Sequence, residues 1–229
     1  MNVVLQIIIG FLLADIMSGF FHWIEDTYFD YCINIPILSN ISKDNELHHY
    51  FPRAMLQYSY FENIYVTFIL TCFGILLIYL CIPKVIQKYP FGIITFSFFS
   101  ITSNILHRFS HQRECENNPI VTLLQKCGIL CSHKHHSLHH TNIDEKYCVV
   151  TEYNNYILDF ICFWRILEYI IYFTTGISPS RKMSYDSYKQ IQNYMHIDSK
   201  NTCPKTPTKQ DIEILMYNLH QYRKCSVPN

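Results

Sequence analysis

The sequence predicts an all-α protein embedded in a membrane, a bundle of spanning helices that carries a histidine-rich cap on its cytosolic side. Three observations lead there. Apolar stretches recur at lengths that cross a bilayer as helix, which takes about 20 residues. Charged residues make up only 16% of the 229-residue chain, below the roughly one quarter usual for a soluble domain. Histidines gather near the ends of those apolar stretches. Only closed helices or barrels satisfy the backbone in lipid, and barrel alternation is absent, so helices are expected. The formal charge balances at zero, which gives no electrostatic case for a nucleic-acid partner.

The first apolar stretch runs from Val3 to Trp23 and is broken only by Gln6, Asp15, Ser18 and His22. It has no basic start and no small-residue cleavage site, so it is expected to stay in the mature protein rather than leave as a signal peptide. Asp15 is costly in lipid unless it faces the bundle interior or a polar partner. At the exit, His22 and Asp26 are i,i+4 neighbours on one helix face, and Trp23 suits a membrane interface. That pairing reads as a ligand, or a ligand with its supporting carboxylate.

A mixed segment follows and ends in His48-His49, stopped by Pro52. No long apolar run separates this pair from His22, so both lie on one side of the membrane. Spans are expected at about 64–82 and 91–110, the second ending in His107 and His111. Two crossings return this HxxxH pair to the side of the earlier histidines.

The stretch His133 to His140 holds five imidazoles in eight residues. On a helix, His135/His139 and His136/His140 are i,i+4 pairs set about one hundred degrees apart, an arrangement that suits two metals. Imidazole suits zinc, copper, iron and nickel alike; a His-rich tract that binds metal loosely is the bland alternative. The segment 153–175 resembles a fourth span, but Asp159, Arg165 and Glu168 mark it as an interfacial helix, with Arg165 and Glu168 able to pair. Residues 178–229 read as a polar C-terminal tail beyond a membrane domain at 1–177, with His196 and His220 as spectators.

Of the 18 Lys and Arg residues, only Lys84 and Lys88 fall in the loop assigned to the far side, so the histidine face is expected in the cytosol. Ten cysteines without a CxxC pair read as unpaired, in keeping with a reducing compartment. Cys127 and Cys131 could be soft ligands, but thiolates suit an oxygen-activating site poorly, and both read as structural.

Nine histidines, at 22, 48, 49, 107, 111, 135, 136, 139 and 140, together with Asp26, exceed what one zinc requires. A catalytic zinc takes about three protein ligands. The surplus favours two iron ions.

The residues also carry a resemblance. Ala14-Asp15, Ser18-Gly19, His22-Trp23 and Asp26 are followed in order by His48-His49 with Pro52, His107 with Ser110-His111, and Lys134-His135-His136 with His139-His140. Tyr147-Cys148 and Phe163-Trp164-Arg165 with Glu168 complete the series. Over about residues 10–180 the chain resembles the plasmanylethanolamine desaturase family, also called the Kua or lipid desaturase domain. The resemblance implies an integral membrane oxidoreductase that uses two Fe ions, O2 and a cytochrome b5-type electron donor, with the endoplasmic reticulum as expected location. One branch of that family forms the vinyl ether of plasmalogens from plasmanylethanolamine; a plastid branch desaturates an acyl chain of phosphatidylglycerol. A lipid hydroxylase and a catalytically silent scaffold are the alternatives. The chain departs from the family pattern in starting directly at the His-Trp helix, in Phe109 where Trp is usual, and in Thr151-Glu152 where Thr-Gly or Ser-Gly is usual.

Overall fold

The computed structural model describes residues 1–30, 32–180 and 208–223, and among these every regular element is helical. The helices are α1 (Val3–Tyr28), α2 (Pro36–Tyr50), α3 (Tyr60–Cys81), α4 (Pro83–Lys88), α5 (Pro90–Ser110), α6 (Pro119–Lys126), α7 (His133–Thr141), α8 (Tyr153–Phe160), α9 (Phe163–Thr175) and α10 (Lys209–Arg223). A 3-10 turn, Pro52–Gln57, links α2 to α3.

The starts of these helices are written in the sequence. Asn2 caps α1 by accepting from the Leu5 amide. Ser59 and Glu62 form a reciprocal capping box at α3. Pro90 and Pro119 occupy the first turns of α5 and α6, where the missing N–H costs nothing.

The long helices are inside out by the standard of a soluble protein. The buried face of α1 is Gln6, Gly10, Ala14, Asp15, Ser18, His22 and Asp26 with their neighbours, while Val4, Ile8, Leu13 and Met17 are exposed. In α3 only Asn63 and Thr71 are buried, and in α5 the buried set is Ser100, Ser103, His107 and Ser110. Polar and small residues facing inward and apolar residues facing outward is the arrangement lipid imposes.

By length and apolar character α1 and α3 are fit to cross a membrane. The expected third span, α5, is 21 residues long but falls outside that pair because its inward stripe of serines, Asn104 and His107 dilutes its apolar content. It packs against both α1 and α3. Gly10 and Gly92 let α1 and α5 approach closely, since a Cβ on Gly10 would collide with the Gly92 carbonyl.

Residues 147–151 cross the inward stripe of α1 without regular structure of their own, so their backbone groups need side-chain partners. Asp15 supplies them, its Oδ1 accepting from the Val150 and Thr151 amides at 3.0 and 2.9 Å while Oδ2 accepts from Asn154 at 2.8 Å. Gly19 leaves room for the crossing, since a Cβ there would meet the Cys148 sulfur at 2.6 Å. Where one interfacial helix was expected over 153–175, the chain forms two. The break falls at Cys162, whose φ of 54° is left-handed. Arg165 and Glu168 do pair, at 2.7 Å, and Glu168 also accepts from the Trp23 indole at 3.3 Å.

Two expectations change. Cys32 and Cys115, at the histidine end after α1 and α5, are disulfide-bonded. This corrects the reading of ten unpaired cysteines and removes its support for a reducing compartment. Cys72, Cys81, Cys127, Cys131, Cys148 and Cys162 are free; Cys203 and Cys225 lie outside the described residues, as does His196. The C-terminal segment also does more than trail, because α10 docks on α2. Ile212 and Leu219, with Leu215 and Met216, close over Leu47, Tyr50, Phe51 and Ala54.

This docking has a measurable cost of removal. Leu219 is 1% exposed, so Leu219→Ala should destabilise by about 2–4 kcal/mol and lower the thermal midpoint of the purified protein. Ile214→Ala, on the outer face of α10 at 52% exposure, should stay within about 0.5 kcal/mol of wild type. Equal effects would contradict the docked helix.

Candidate metal centre and apolar cavity

Four elements bring the clustered histidines to one end of the bundle. The last turns of α1 and α5 carry His22, Asp26 and His107, with His111 as the residue that closes α5; the last turn of α2 carries His48 and His49; and α7 carries the rest. Ser132 starts α7 by accepting from the His135 amide, and is itself held by Glu152 at 2.6 Å.

These side chains converge as two groups that could each hold a metal ion. One is His48, His107, His111, His136 and His140; the other is His22, Asp26, His49 and His139, and within each group the ligand atoms lie within 4.8 Å of one another. All nine are buried. In the first group the Nε2 atoms form a row, His111 to His107 at 3.1 Å, His107 to His136 at 2.8 Å and His136 to His140 at 3.1 Å. A ring nitrogen offers one N–H or one lone pair, so such a row is poorly served by hydrogen bonds alone. His48 makes the point more sharply, because neither of its ring nitrogens has a hydrogen-bond partner.

The second group is organised about Asp26. Its Oδ1 lies 2.8 Å from His49 Nε2 and accepts from Asn45 at 2.8 Å; its Oδ2 lies 3.2 Å from His139 Nε2 and 3.6 Å from His22 Nε2. Two of these rings have their tautomer fixed from behind. Nδ1 of His22 donates to the Tyr147 carbonyl at 3.0 Å, and Nδ1 of His139 to the Glu145 carbonyl at 2.7 Å. Each Nε2 is thereby left as a lone pair aimed inward, the usual support for a metal-bound imidazole.

Burial, then the neighbouring imidazoles, hold His48, His111, His136 and His140 well below the ordinary imidazole range. They are neutral, as metal ligation requires. Burial pushes the Cys131 thiol up, which keeps it from acting as a thiolate, and neither Cys127 nor Cys131 belongs to either group.

His135 also belongs to neither. On α7 it sits a hundred degrees from His136, at the edge of the inward arc, where Asn155 contacts its Nε2 at 3.2 Å and Glu152 lies 3.5 Å from its Nδ1. The expected His135/His139 pair therefore does not close on one centre, and His139 joins α1 and α2 instead. His133 is exposed and contacts the Ser110 carbonyl through Nδ1, and the exposed His220 on α10 is in neither group. Sequence reasoning missed Asn45, although it stands one helical turn before His49, a spacing that marks a shared face.

Beside the two groups lies a cavity of about 470 Å³ between α1, α3 and α5. Its walls are apolar, from Met17, Phe21, Leu70, Phe73, Ile78 and Phe96. His22 of one group and His107 of the other both face it. Along α3 the lining extends from Val66 to Ile78, about 18 Å of helix.

The neutral imidazoles set a pH dependence. An unfolded histidine protonates near pH 6.5, whereas these buried ones resist protonation until the pH is well below that. As pH falls below about 6.5 the unfolded state gains protons that the folded state cannot, and each such group removes up to about 1.4 kcal/mol of stability per pH unit. The chelator-treated protein should melt at a lower temperature at pH 5.5 than at pH 7.5; an equal or higher midpoint at pH 5.5 would contradict this.

Comparison with known proteins follows the same lines as the geometry. Residues 11–182 match the family model described as the lipid desaturase domain. A probable fatty acid desaturase of Acanthamoeba polyphaga mimivirus is 33% identical over 185 residues, covering 78% of this chain and 86% of the relative. Plasmanylethanolamine desaturase 1 of Mus musculus is 30% identical over 187 residues, covering 77% and 68%. Fatty acid desaturase 4, chloroplastic, of Arabidopsis thaliana is 28% identical over 171 residues, covering 74% of this chain but only 52% of its own length. No solved structure matches the chain. With a match over most of its length and two buried histidine groups beside an apolar cavity, the chain belongs to the lipid desaturase domain family.

Proposed function

We propose that this chain is a membrane di-iron desaturase that converts plasmanylethanolamine to the vinyl ether of a plasmalogen, with electrons from a cytochrome b5-type donor. The observation that carries the reading is that the two ligand groups each present a histidine, His22 and His107, to the same apolar cavity. His48, His107, His111, His136 and His140 hold one ion; His22, Asp26, His49 and His139 hold the other. Bound iron supplies the O2-activating redox chemistry that an unactivated C–H bond demands.

The protein's own share is positioning. The Tyr147 and Glu145 carbonyls orient His22 and His139, and Asn45 steadies Asp26. The walls of α1, α3 and α5 hold one chain of the lipid straight and exclude water, so that two adjacent carbons lie beside the ligand groups. Since these groups sit at the end of the apolar helices, those carbons are near the headgroup rather than at the methyl terminus. We read α5 as a third span, α8 and α9 as lying along the membrane surface through exposed residues such as Ile157, Phe160 and Phe173, and the histidine end as cytosolic from the bias of Lys and Arg. A membrane of the endoplasmic reticulum is the location this implies. An acyl phospholipid is the second reading, favoured by the mimivirus and Arabidopsis relatives, both described as fatty acid desaturases.

The test is expression in cells lacking their own ether-lipid desaturase, followed by acid hydrolysis, which releases aldehydes from vinyl ethers only. Acid-labile aldehyde should return. A new double bond in an acyl chain with no aldehyde would move the assignment to the second reading, and no product of either kind would contradict both. Alanine in place of His22, His48, His49, His107, His111, His136, His139 or His140 should abolish product, whereas His220→Ala should leave it intact. His135→Ala should lower product without abolishing it, since His135 stands outside both groups.

A further inference from the structure

One carboxylate in the cavity is not used by the ligand groups. Glu25 lines the cavity beside His22 and Asn45, yet it is absent from both groups. It lies a hundred degrees around α1 from Asp26 but only three residues from His22, so Glu25 and His22 share the cavity face while Asp26 turns away from it. Among the described residues none of the hydrogen bonds or ion pairs uses the Glu25 carboxylate. Besides the histidines it is, among the described residues, the single ionisable side chain of that lining. The carboxyl has no cation beside it among those residues, and a cationic group of a ligand in the cavity would supply the counter-charge that favours its ionised form.

Order along α1 gives the carboxylate a direction. The cavity residues run Met17, Ser18, Phe21, His22, Glu25, from the apolar middle of the helix toward its outer end. A lipid whose tail follows Phe21, Phe73 and Ile78 and whose first chain carbons lie at His22 has its headgroup about one helical turn further out, at Glu25 and Asn45. Tail, ligand groups and carboxylate thus succeed one another along one wall.

We propose that Glu25 selects the headgroup of the lipid, by pairing with a cationic amine such as that of an ethanolamine phospholipid, a partner that an anionic headgroup such as phosphatidylglycerol cannot offer. The inference rests on the lipid desaturase reading and sharpens it, because it separates amine-bearing substrates from the anionic ones. A charged hydrogen bond made in a partly dry cavity discriminates by roughly five- to tenfold or more, whereas a merely structural glutamate would discriminate not at all.

The test uses the full-length protein in detergent, with binding of 1-O-alkyl-2-acyl phosphatidylethanolamine compared against the same alkyl-acyl lipid carrying a phosphoglycerol headgroup, and with double-bond formation on each followed in parallel. Wild type should prefer the amine lipid by about fivefold or more; Glu25→Gln, close to isosteric, should bring the ratio near one, and Glu25→Lys should invert it. A wild-type ratio retained by Glu25→Gln would overturn the proposal even if the amine lipid is desaturated normally. If neither lipid is desaturated by wild type but Glu25→Gln still erases the binding preference, the headgroup assignment stands and the desaturase reading fails.

Discussion

The structure depends on the burial of nine side chains that could ligate metal, gathered at one end of helices whose outer faces are apolar. Each buried polar atom left without a partner costs about 1–3 kcal/mol. His22 Nε2, Asp26 Oδ2, His139 Nε2 and both ring nitrogens of His48 are in that position. Their sum is comparable to the whole stability of an ordinary domain, about 5–15 kcal/mol. Protonating His48 does not relieve its share of the cost, because burial opposes the charge. A shared cation in each group relieves it directly, which is why the arrangement reads as a binding site and not as a polar core.

The rest of the fold can be understood as what holds those side chains in place. α1 contributes more than His22 and Asp26. Its inward stripe of Asp15, Ser18 and Gly19 seats residues 147–151, and that segment in turn supplies the carbonyl that orients His22. The α2 histidines are backed by α10, an element beyond the end of the family match at residue 182. The apolar exterior has its own logic, since apolar side chains pointed outward leave the interior free for polar groups.

Much of this was legible because residue type and helical spacing carry it. The i,i+4 relations of His22 with Asp26, His107 with His111 and His136 with His140 survive in the structure, and membership of one cluster end followed from counting apolar stretches between them. Which elements complete each group was not legible, since it depends on how α7 is rotated against its neighbours; His135 fell at the edge of that arc, while His139 stayed apart from His136 and His140 and joined residues of α1 and α2. The α8–α9 break left no glycine or proline as a mark. The docking of α10 did leave one, Ile212, Leu215, Met216 and Leu219 at helical spacing, hidden by the polar composition around it. The disulfide bonding of Cys32 and Cys115 could not be inferred, because cysteine spacing does not reveal partners.

The claim at the centre is that each group holds one iron. The most direct measurement is elemental analysis of the purified full-length protein beside two variants, His48→Ala in the five-histidine group and Asp26→Ala in the other. The account predicts close to two irons per chain in wild type, with iron lost from the altered group in each variant. A single zinc per chain with no iron, or a wild-type metal content unchanged in both variants, would contradict it.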